Sequence, residues 1–296
     1  MTGSPLAEYT GSMHATISAV CLAALPLVAQ NRPLPNGVEV KRDIVYATYG
    51  DRSLRLDLYT PKSKPAGPIP GIVVIRGGGW KAGDKNAFAP IAAGLADRGF
   101  AAACIEYRVL PDVTLPEVVN DAKAAVRWMR ADGKQYGIDT DAIGAIGGSA
   151  GGHLVALLGT SYKAADLEGP GGHTGVSSRI QAAVPMAPVV DFEAFSQGRP
   201  QAFEMFKGKP ELAKRLSPTT YLDKDSAPML LIHGNADQSV PMAQSKLMQE
   251  RAKKAGVAAD FTMIKGAPHA FWNMPQHSEE TIAMAASFFH SVLDRK

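Results

Sequence analysis

The chain of 296 residues is predicted to form an α/β fold with a mostly parallel, doubly wound sheet. Short apolar runs alternate with segments of helical periodicity along most of the chain, which is the pattern of strand–helix–strand units. The composition, 46% hydrophobic and 20% charged, is that of an ordinary globular protein. The length suits one large domain or two small ones, and we predict a single domain over residues 30–296.

The first elements predict an antiparallel hairpin at one edge of this sheet. Val38–Tyr49 and Leu54–Tyr59 alternate apolar and polar residues on either side of a turn sequence at 50–53. After a proline-rich loop, Gly71–Ile75 is entirely apolar, as in strands that are buried on both faces of a parallel sheet.

The elements that follow alternate in type. The predicted strands are Phe100–Glu106, Ile143–Ile146, Ile180–Met186, Pro228–Ile232 and Val257–Ile264. The predicted helices are 86–98, Glu117–Ala131, Pro241–Ala255 and Glu279–Asp294, and glycines at 99 and 256 end the first and third of them. Residues 188–227 have weak hydrophobic periodicity. This indicates either a lid-like insertion or an extended crossover helix between two strands, and the two interpretations do not exclude each other.

An uncharged segment, Ile17–Ala29, precedes the domain. It is shorter than the roughly 20 residues of a membrane-spanning helix and fits the apolar region of a signal peptide. We therefore predict that residues 1–29 are a signal peptide or leader and that the mature chain has no integral membrane segment. This implies a secreted or periplasmic protein. Since residues 1–16 lack Lys and Arg, an apolar helix packed on a cytoplasmic domain is the alternative.

Composition and motif spacing argue against several other classes of protein. The net charge of +3 is small, and no basic run is interleaved with aromatic residues, so we expect no nucleic-acid binding. The cysteines, Cys21 and Cys104, are not expected to form a disulfide. Gly78 and Gly83 have P-loop spacing, but the required Lys and Ser or Thr do not follow. No metal-ligand spacing is present either, so we expect no cofactor and no metal.

The sequence Gly-Gly-Ser-Ala-Gly at 147–151 predicts a catalytic nucleophile. It directly follows the apolar run 142–146 and directly precedes a helical segment at 152–158. A G-x-S-x-G sequence between a strand and a helix is typical of a nucleophile elbow, in which a tight turn exposes the serine hydroxyl. The sequence therefore predicts a serine hydrolase with Ser149 as nucleophile.

Such a serine needs a histidine base and an acid in loops after later strands. Asp237 follows the strand that ends near Ile232, and Asp191 is the second candidate acid. His269 follows the last predicted strand, in the order Ser, Asp, His that this arrangement requires. His153 and His233 are interpreted as structural residues.

The tetrahedral intermediate of such a reaction needs preorganised N–H donors. One is expected from Ala150, the residue after the nucleophile. The others are expected from the loop Arg76-Gly77-Gly78-Gly79-Trp80, because consecutive glycines let a backbone approach a ligand closely. Trp80 is predicted to line the substrate pocket, although a buried packing residue would give the same pattern.

Several segments in chain order resemble the α/β-hydrolase superfamily. They are LDLYTP at 56–61, GGGWKAGDK at 77–85, VVNDAKAAVRWMR at 118–130, YGIDTDAIGAIGGSAGGHLVALLGT at 136–160, EGPGGHTGVSSRIQAAVPMAPVVDF at 168–192 and LIHGNADQSVP at 231–241. The resemblance, over about residues 38–290, is to the esterase/lipase-like group related to hormone-sensitive lipase and to bacterial feruloyl and acetylxylan esterases. It implies an α/β-hydrolase fold, with Ser149, Asp237 and His269 as triad and Gly78, Gly79 and Ala150 as oxyanion donors.

One position departs from the group, which usually opens the glycine loop with histidine where this chain has Arg76. The resemblance implies that in the related group this histidine braces the loop through hydrogen bonds. Arginine donates hydrogen bonds but accepts none, so the loop is expected to be held differently.

The expected function is that of a serine carboxylesterase acting on short-chain acyl esters. The substrate would be a small molecule or a polysaccharide-linked ester, such as an acetyl or feruloyl ester of a plant polysaccharide. An amide-cleaving hydrolase, such as a formamidase or peptidase, is the alternative within enzymes. A non-catalytic binding protein with a hydrolase-like fold is the alternative outside them.

Overall fold

The structure, a computed structural model, describes residues 33–63, 65–197 and 204–294 of the chain. One sheet there contains β1 (Val38–Tyr49), β2 (Arg52–Pro61), β3 (Ile69–Ile75), β4 (Ala101–Ile105), β5 (Ile138–Gly148), β6 (Ala182–Met186), β7 (Met229–Gly234) and β8 (Ala259–Ile264). The described helices are α1 (Ala89–Ala96), α2 (Leu115–Asp132), α3 (Ala150–Thr160), α4 (Phe192–Ser196), α5 (Pro210–Arg215), α6 (Ala243–Lys254) and α7 (Pro275–Leu293). The predicted segment 1–29, with Cys21, lies outside the described residues, and Cys104 is a buried free thiol.

The strands are ordered β1-β2-β4-β3-β5-β6-β7-β8 across the sheet. β2 pairs antiparallel with both β1 and β4, and all other neighbouring strands are parallel. The predicted α/β-hydrolase fold, with a mostly parallel sheet and an N-terminal antiparallel hairpin, is confirmed. Because the carboxyl ends of the parallel strands β3, β5, β7 and β8 lie at one edge, the loops that follow them lie at the same edge.

Two apolar cores, one on each face, hold the helices to the sheet. Alternate residues of β3 point to opposite faces, so that Val73 and Ile75 pack in the core that contains α2, α3 and α6. Ile72 and Val74 pack in the other core, with α1 and α7. The central strands are therefore apolar on both faces, as their sequence predicted.

Some helix boundaries differ from the predictions, for local reasons. The predicted helix 86–98 is a 3₁₀ turn at Lys85–Phe88, capped by the Asp84 carboxylate, followed by α1. α2 begins two residues before the predicted start, since Thr114 and Glu117 form a capping box and proline is tolerated in a first turn.

The segment between β6 and β7 contains α4, α5 and two 3₁₀ turns, at 204–206 and at Pro218–Thr220, with residues 198–203 outside the described part. The ring of Phe192 lies 5.7 Å from that of Trp80 and 4.6 Å from that of Phe206. The segment therefore packs beside the glycine loop, and its role as a lid stays a prediction. None of the described helices combines the length and the apolar character that crossing a membrane requires.

Candidate active site

Ser149 lies at the sharp turn between β5 and α3, with φ 56° and ψ −120°. This conformation is rare for a residue with a side chain and persists where the surroundings enforce it. A Cβ atom at Gly147 or Gly151 would lie 2.6 or 2.1 Å from the Ile75 carbonyl oxygen, so the turn can form only with glycine at both positions. The elbow predicted from the sequence is thus enforced by its contact with the end of β3.

Asp237 lies in the loop after β7, and its carboxylate accepts hydrogen bonds at both oxygens. Oδ1 accepts from the backbone N–H groups of Ser239 and Val240 at 2.8 and 2.9 Å. Oδ2 lies 2.6 Å from His269 Nδ1 and 3.2 Å from His233 Nε2. Burial raises the pKa of the carboxyl, but hydrogen bonds from the two imidazoles outweigh it and hold that pKa well below its usual range. The group is therefore a carboxylate at neutral pH.

His269 follows β8, and its side chain is 22% exposed. Since the carboxylate only accepts, Nδ1 carries the hydrogen of the Asp237 contact and Nε2 keeps its lone pair. Nε2 and Ser149 Oγ have no hydrogen-bond partner among the described residues. The Trp272 ring packs edge-on to the imidazole at 5.6 Å and also lies against the elbow, where a Cβ at Gly148 would be 2.5 Å from it. Trp272 thus contacts both the predicted base and the elbow, a position that sequence reasoning missed.

His233, at the end of β7, was interpreted as structural, and the structure brings it to the predicted acid. Its imidazole is fully buried. Nε2 lies 3.0 Å from the Val240 carbonyl and 3.2 Å from Asp237 Oδ2, so it must carry the hydrogen, and Nδ1 accepts from the Ser245 hydroxyl at 2.8 Å. The spacing of four residues between His233 and Asp237 was the signal in the sequence.

The glycine loop after β3 lies against the elbow. A Cβ at Gly77 would be 3.3 Å from that of Ser149. Gly78 and Gly79 have φ values of 116° and 61°, a region that glycine adopts without strain. Both residues are exposed, and their N–H groups donate to no acceptor among the described residues. These two N–H groups are therefore available to a bound ligand.

Trp80 is buried, and its indole Nε1–H donates to His153 Nδ1 at 3.2 Å. His153 Nε2 lies 2.8 Å from the Leu216 carbonyl, so the imidazole donates there and accepts from Trp80. Burial lowers the pKa of His153 to about 4, which keeps it neutral. The contacts of Trp80 are those of a packing residue, and its predicted role in substrate binding stays a prediction.

Asp191, the second candidate acid, has other contacts than Asp237. Its carboxylate accepts from the N–H of Ala194 at 3.0 Å and caps α4. It also lies 3.4 Å from Arg251. Neither contact involves His269.

The BD-FAE family profile matches residues 56–252, about two thirds of the chain. Among curated proteins, the chain is 34% identical over 216 residues to the probable carboxylic ester hydrolase LipM of Mycobacterium tuberculosis. The match covers 69% of this chain and 49% of LipM, so the chain spans about half the length of that relative.

Two solved structures are similar over most of their length. A truncated carbohydrate esterase from gut microbiota has a TM-score of 0.78 and 29% identity, covering 88% of this chain and 98% of that one. Esterase Est2 of Thermogutta terrifontis has a TM-score of 0.74 and 33% identity, covering 86% and 92%. Other structures of Est2 hold propionate or butyrate, and one is phosphonylated by sarin.

Proposed function

The chain belongs to the BD-FAE family of α/β-hydrolase esterases, and from that premise we propose that it hydrolyses carboxylic esters by acyl transfer to Ser149. One observation carries the proposal. The Asp237–His269 pair, joined at 2.6 Å, and the enforced elbow at Ser149 lie at the same edge of one sheet. This combines a half-buried serine at a sharp turn with an imidazole whose tautomer leaves Nε2 free to accept a proton.

In the proposed reaction, Ser149 Oγ attacks the ester carbonyl while His269 Nε2 takes its proton. The carboxylate of Asp237 stabilises the imidazolium that results. The carbonyl oxygen becomes an oxyanion and accepts hydrogen bonds from the N–H groups of Gly78, Gly79 and Ala150. The imidazolium then gives its proton to the leaving alcohol, and water releases the acid from the serine by the same steps.

The substrates proposed are short-chain acyl esters, free or attached to a polysaccharide. Propionate and butyrate bound to Est2, and the carbohydrate esterase among the similar structures, support this choice. Acetyl and feruloyl esters of plant polysaccharides remain part of the proposal, as does export of the protein.

The test is turnover of p-nitrophenyl acetate by the purified chain and by Ser149→Ala. We expect kcat to fall about 10⁴-fold or more, since removing the nucleophile leaves only binding and the oxyanion donors. Ser291→Ala, at an exposed helical serine, is the matched control and should keep the wild-type rate. Turnover that survives Ser149→Ala would refute the proposal.

A series of acetyl, butyryl, octanoyl and feruloyl esters, with acetylated xylan and p-nitroacetanilide, defines the substrate class. We expect kcat/KM to be highest for acetyl or butyryl esters and lowest for the anilide. If the anilide is cleaved faster than the esters, the proposed substrate class is wrong and the protein is an amide hydrolase.

A further inference from the structure

We propose that Arg76 is a positioning residue of the oxyanion hole: together with Tyr107 it holds the Gly77–Gly78 peptide, and its buried charge lies behind that peptide. The inference rests on the proposed function, because it concerns the N–H donors of that reaction. Arg76 and Tyr107 would then hold the loop that a histidine usually holds in the related esterases.

The Arg76 guanidinium is buried beneath the glycine loop, with the residue 4% exposed. Nη1 donates to the carbonyl of Gly77 at 3.1 Å and to that of Ala82. The guanidinium carbon lies 3.9 Å from the centre of the Tyr107 ring, a stacking distance at which cation and ring attract. The side chain therefore connects the start of the loop, its end and the strand end beside it.

The contact with Gly77 fixes one of the proposed donors directly. In a trans peptide the C=O and N–H groups point in opposite directions, and the carbonyl of Gly77 shares its peptide with the N–H of Gly78. The Tyr107 hydroxyl lies 3.2 Å from both the Gly77 and the Arg76 carbonyl oxygens, so its one hydrogen is shared between them. Burial raises the pKa of Tyr107 to about 12, so that hydroxyl keeps its proton. With its carbonyl held from behind by two donors, this peptide presents the Gly78 N–H on the opposite side.

The other two donor peptides are held in the same way, but by backbone groups. The carbonyl of Gly78, which shares a peptide with the Gly79 N–H, accepts from the N–H groups of Lys81 and Ala82 at 3.1 Å each. The carbonyl of Ser149, on the peptide of the Ala150 N–H, accepts from the His153 N–H at 2.9 Å. Only the Gly77–Gly78 peptide depends on side chains, which is why a substitution can test it.

The guanidinium of Arg76 forms no salt bridge with any of the described residues. No carboxylate there lies within 4.0 Å of its nitrogens, and Nε is buried without a hydrogen-bond partner. Other buried cations differ, because Arg108 pairs with Asp121 at 2.8 Å and Lys123 with Glu168 at 2.7 Å. An ester carbonyl is neutral and its tetrahedral intermediate is an anion, so this charge stabilises the transition state more than the bound substrate.

A cavity of about 300 Å³ adjoins the guanidinium, and Asp84 and Glu106 line it together with Arg52, Lys85 and Tyr107. Neither carboxylate lies within 4.0 Å of the Arg76 nitrogens. Gly83 and its neighbours are exposed, so small solutes can reach it. Removing the arginine side chain would enlarge this cavity and leave room for a free guanidinium ion.

The experiment compares Arg76→Ala and Tyr107→Phe with wild type on p-nitrophenyl acetate. We expect Arg76→Ala to lower kcat about 10- to 100-fold and to leave KM within about twofold of the wild-type value. This loss of kcat is smaller than the loss expected when an oxyanion donor is deleted outright. Millimolar guanidinium should restore part of that kcat in Arg76→Ala and leave wild type unchanged. Tyr107→Phe, which keeps the ring and loses one hydroxyl, should lower kcat about three- to tenfold. Arg52→Ala is the matched control on the same cavity and should keep the wild-type kcat, since Arg52 pairs with Asp112 instead of the loop.

A folded Arg76→Ala variant with the wild-type kcat would overturn the inference. A variant in which KM rises and kcat is unchanged would overturn it as well. If circular dichroism shows that Arg76→Ala is unfolded, Tyr107→Phe decides, and a wild-type kcat in that variant overturns the inference. Failure of the proposed function has a separate signature, since turnover by the wild type would then survive Ser149→Ala.

Discussion

The two sides of the proposed site bury charges of opposite sign and surround them differently. The carboxylate of Asp237 accepts from two backbone N–H groups and faces two imidazoles, His233 and His269. Among the described residues, the guanidinium of Arg76 donates to carbonyl oxygens and stacks on an aromatic ring, and it forms no salt bridge. One side thus holds an anion in direct contact with imidazoles, and the other holds a cation that forms no salt bridge.

The difference matches where charge develops in the proposed reaction. When Ser149 loses its proton, the positive charge appears on His269, and Asp237 is already in place as its counter-ion. The negative charge appears on the substrate, and the guanidinium of Arg76 is already in place behind the N–H donors that receive it. Each side therefore supplies the charge that only the transition state needs, which is how a preorganised site accelerates a reaction.

Asp237→Asn breaks the carboxylate side and should have the largest effect. The amide keeps the shape but loses the charge, and its NH₂ group would favour the wrong tautomer of His269. We expect kcat on p-nitrophenyl acetate to fall about 10⁴-fold, with KM little changed.

The matched control is Asp191→Asn, at the other candidate acid. It should keep the wild-type kcat and at most weaken the cap of α4, by about 1 kcal/mol. Equal losses of kcat in both variants would contradict the assignment of Asp237 as the acid that pairs with His269.

His233→Ala tests whether the second imidazole contributes to that side. It removes one donor to Asp237 Oδ2 and leaves the two backbone donors and His269. Hydrogen bonds to charged groups contribute about 1.5–3 kcal/mol, and with the other donors left in place we expect kcat to fall about tenfold. The pKa of Asp237 should rise toward its ordinary value, because the hydrogen bond from His233 is one cause of its depression.

His233→Gln, which restores a side-chain N–H, should recover part of the kcat. A loss of thermal stability in both variants without any change in kcat would assign His233 to packing alone.

The carboxylate side was largely predictable from the sequence, because its signals are local. The elbow at 147–151 needs glycines at two flanking positions, and Asp237 and His269 each follow an apolar strand. Strand ends in a parallel sheet meet at one edge, so chain order sufficed to predict their meeting. Even so, the pairing at 2.6 Å depends on a side-chain direction that only the structure supplies.

The arginine side could not be predicted in the same way. The sequence indicated that Arg76 departs from the usual histidine, but its partners at 82 and 107 depend on how a loop folds back on a neighbouring strand end. Trp272 was missed for the same reason, since it acts through contacts with other elements. The contact between His233 and Asp237 is local in sequence, but it depends on how the loop after β7 turns back on the strand end. Helix starts were misplaced by a few residues, as at α2, where a proline lies inside the first turn and not before it.

The last prediction concerns stability instead of kcat and involves a neutral group beside the glycine loop, His153, which accepts from the Trp80 indole. Burial lowers the pKa of His153 to about 4 from 6.5, so the unfolded chain takes up this proton at a higher pH than the folded chain. The free energy of unfolding should therefore decrease by up to about 3 kcal/mol through protonation of His153 as the pH falls from about 6.5 to 4. Above pH 7 this group should leave the free energy of unfolding independent of pH. Urea unfolding of wild type and His153→Gln across that range measures the contribution as the difference between the two curves. We expect the curves to converge as the pH falls, because only the wild type loses stability through the burial penalty on protonated His153. Parallel curves would mean that His153 takes up its proton there without cost.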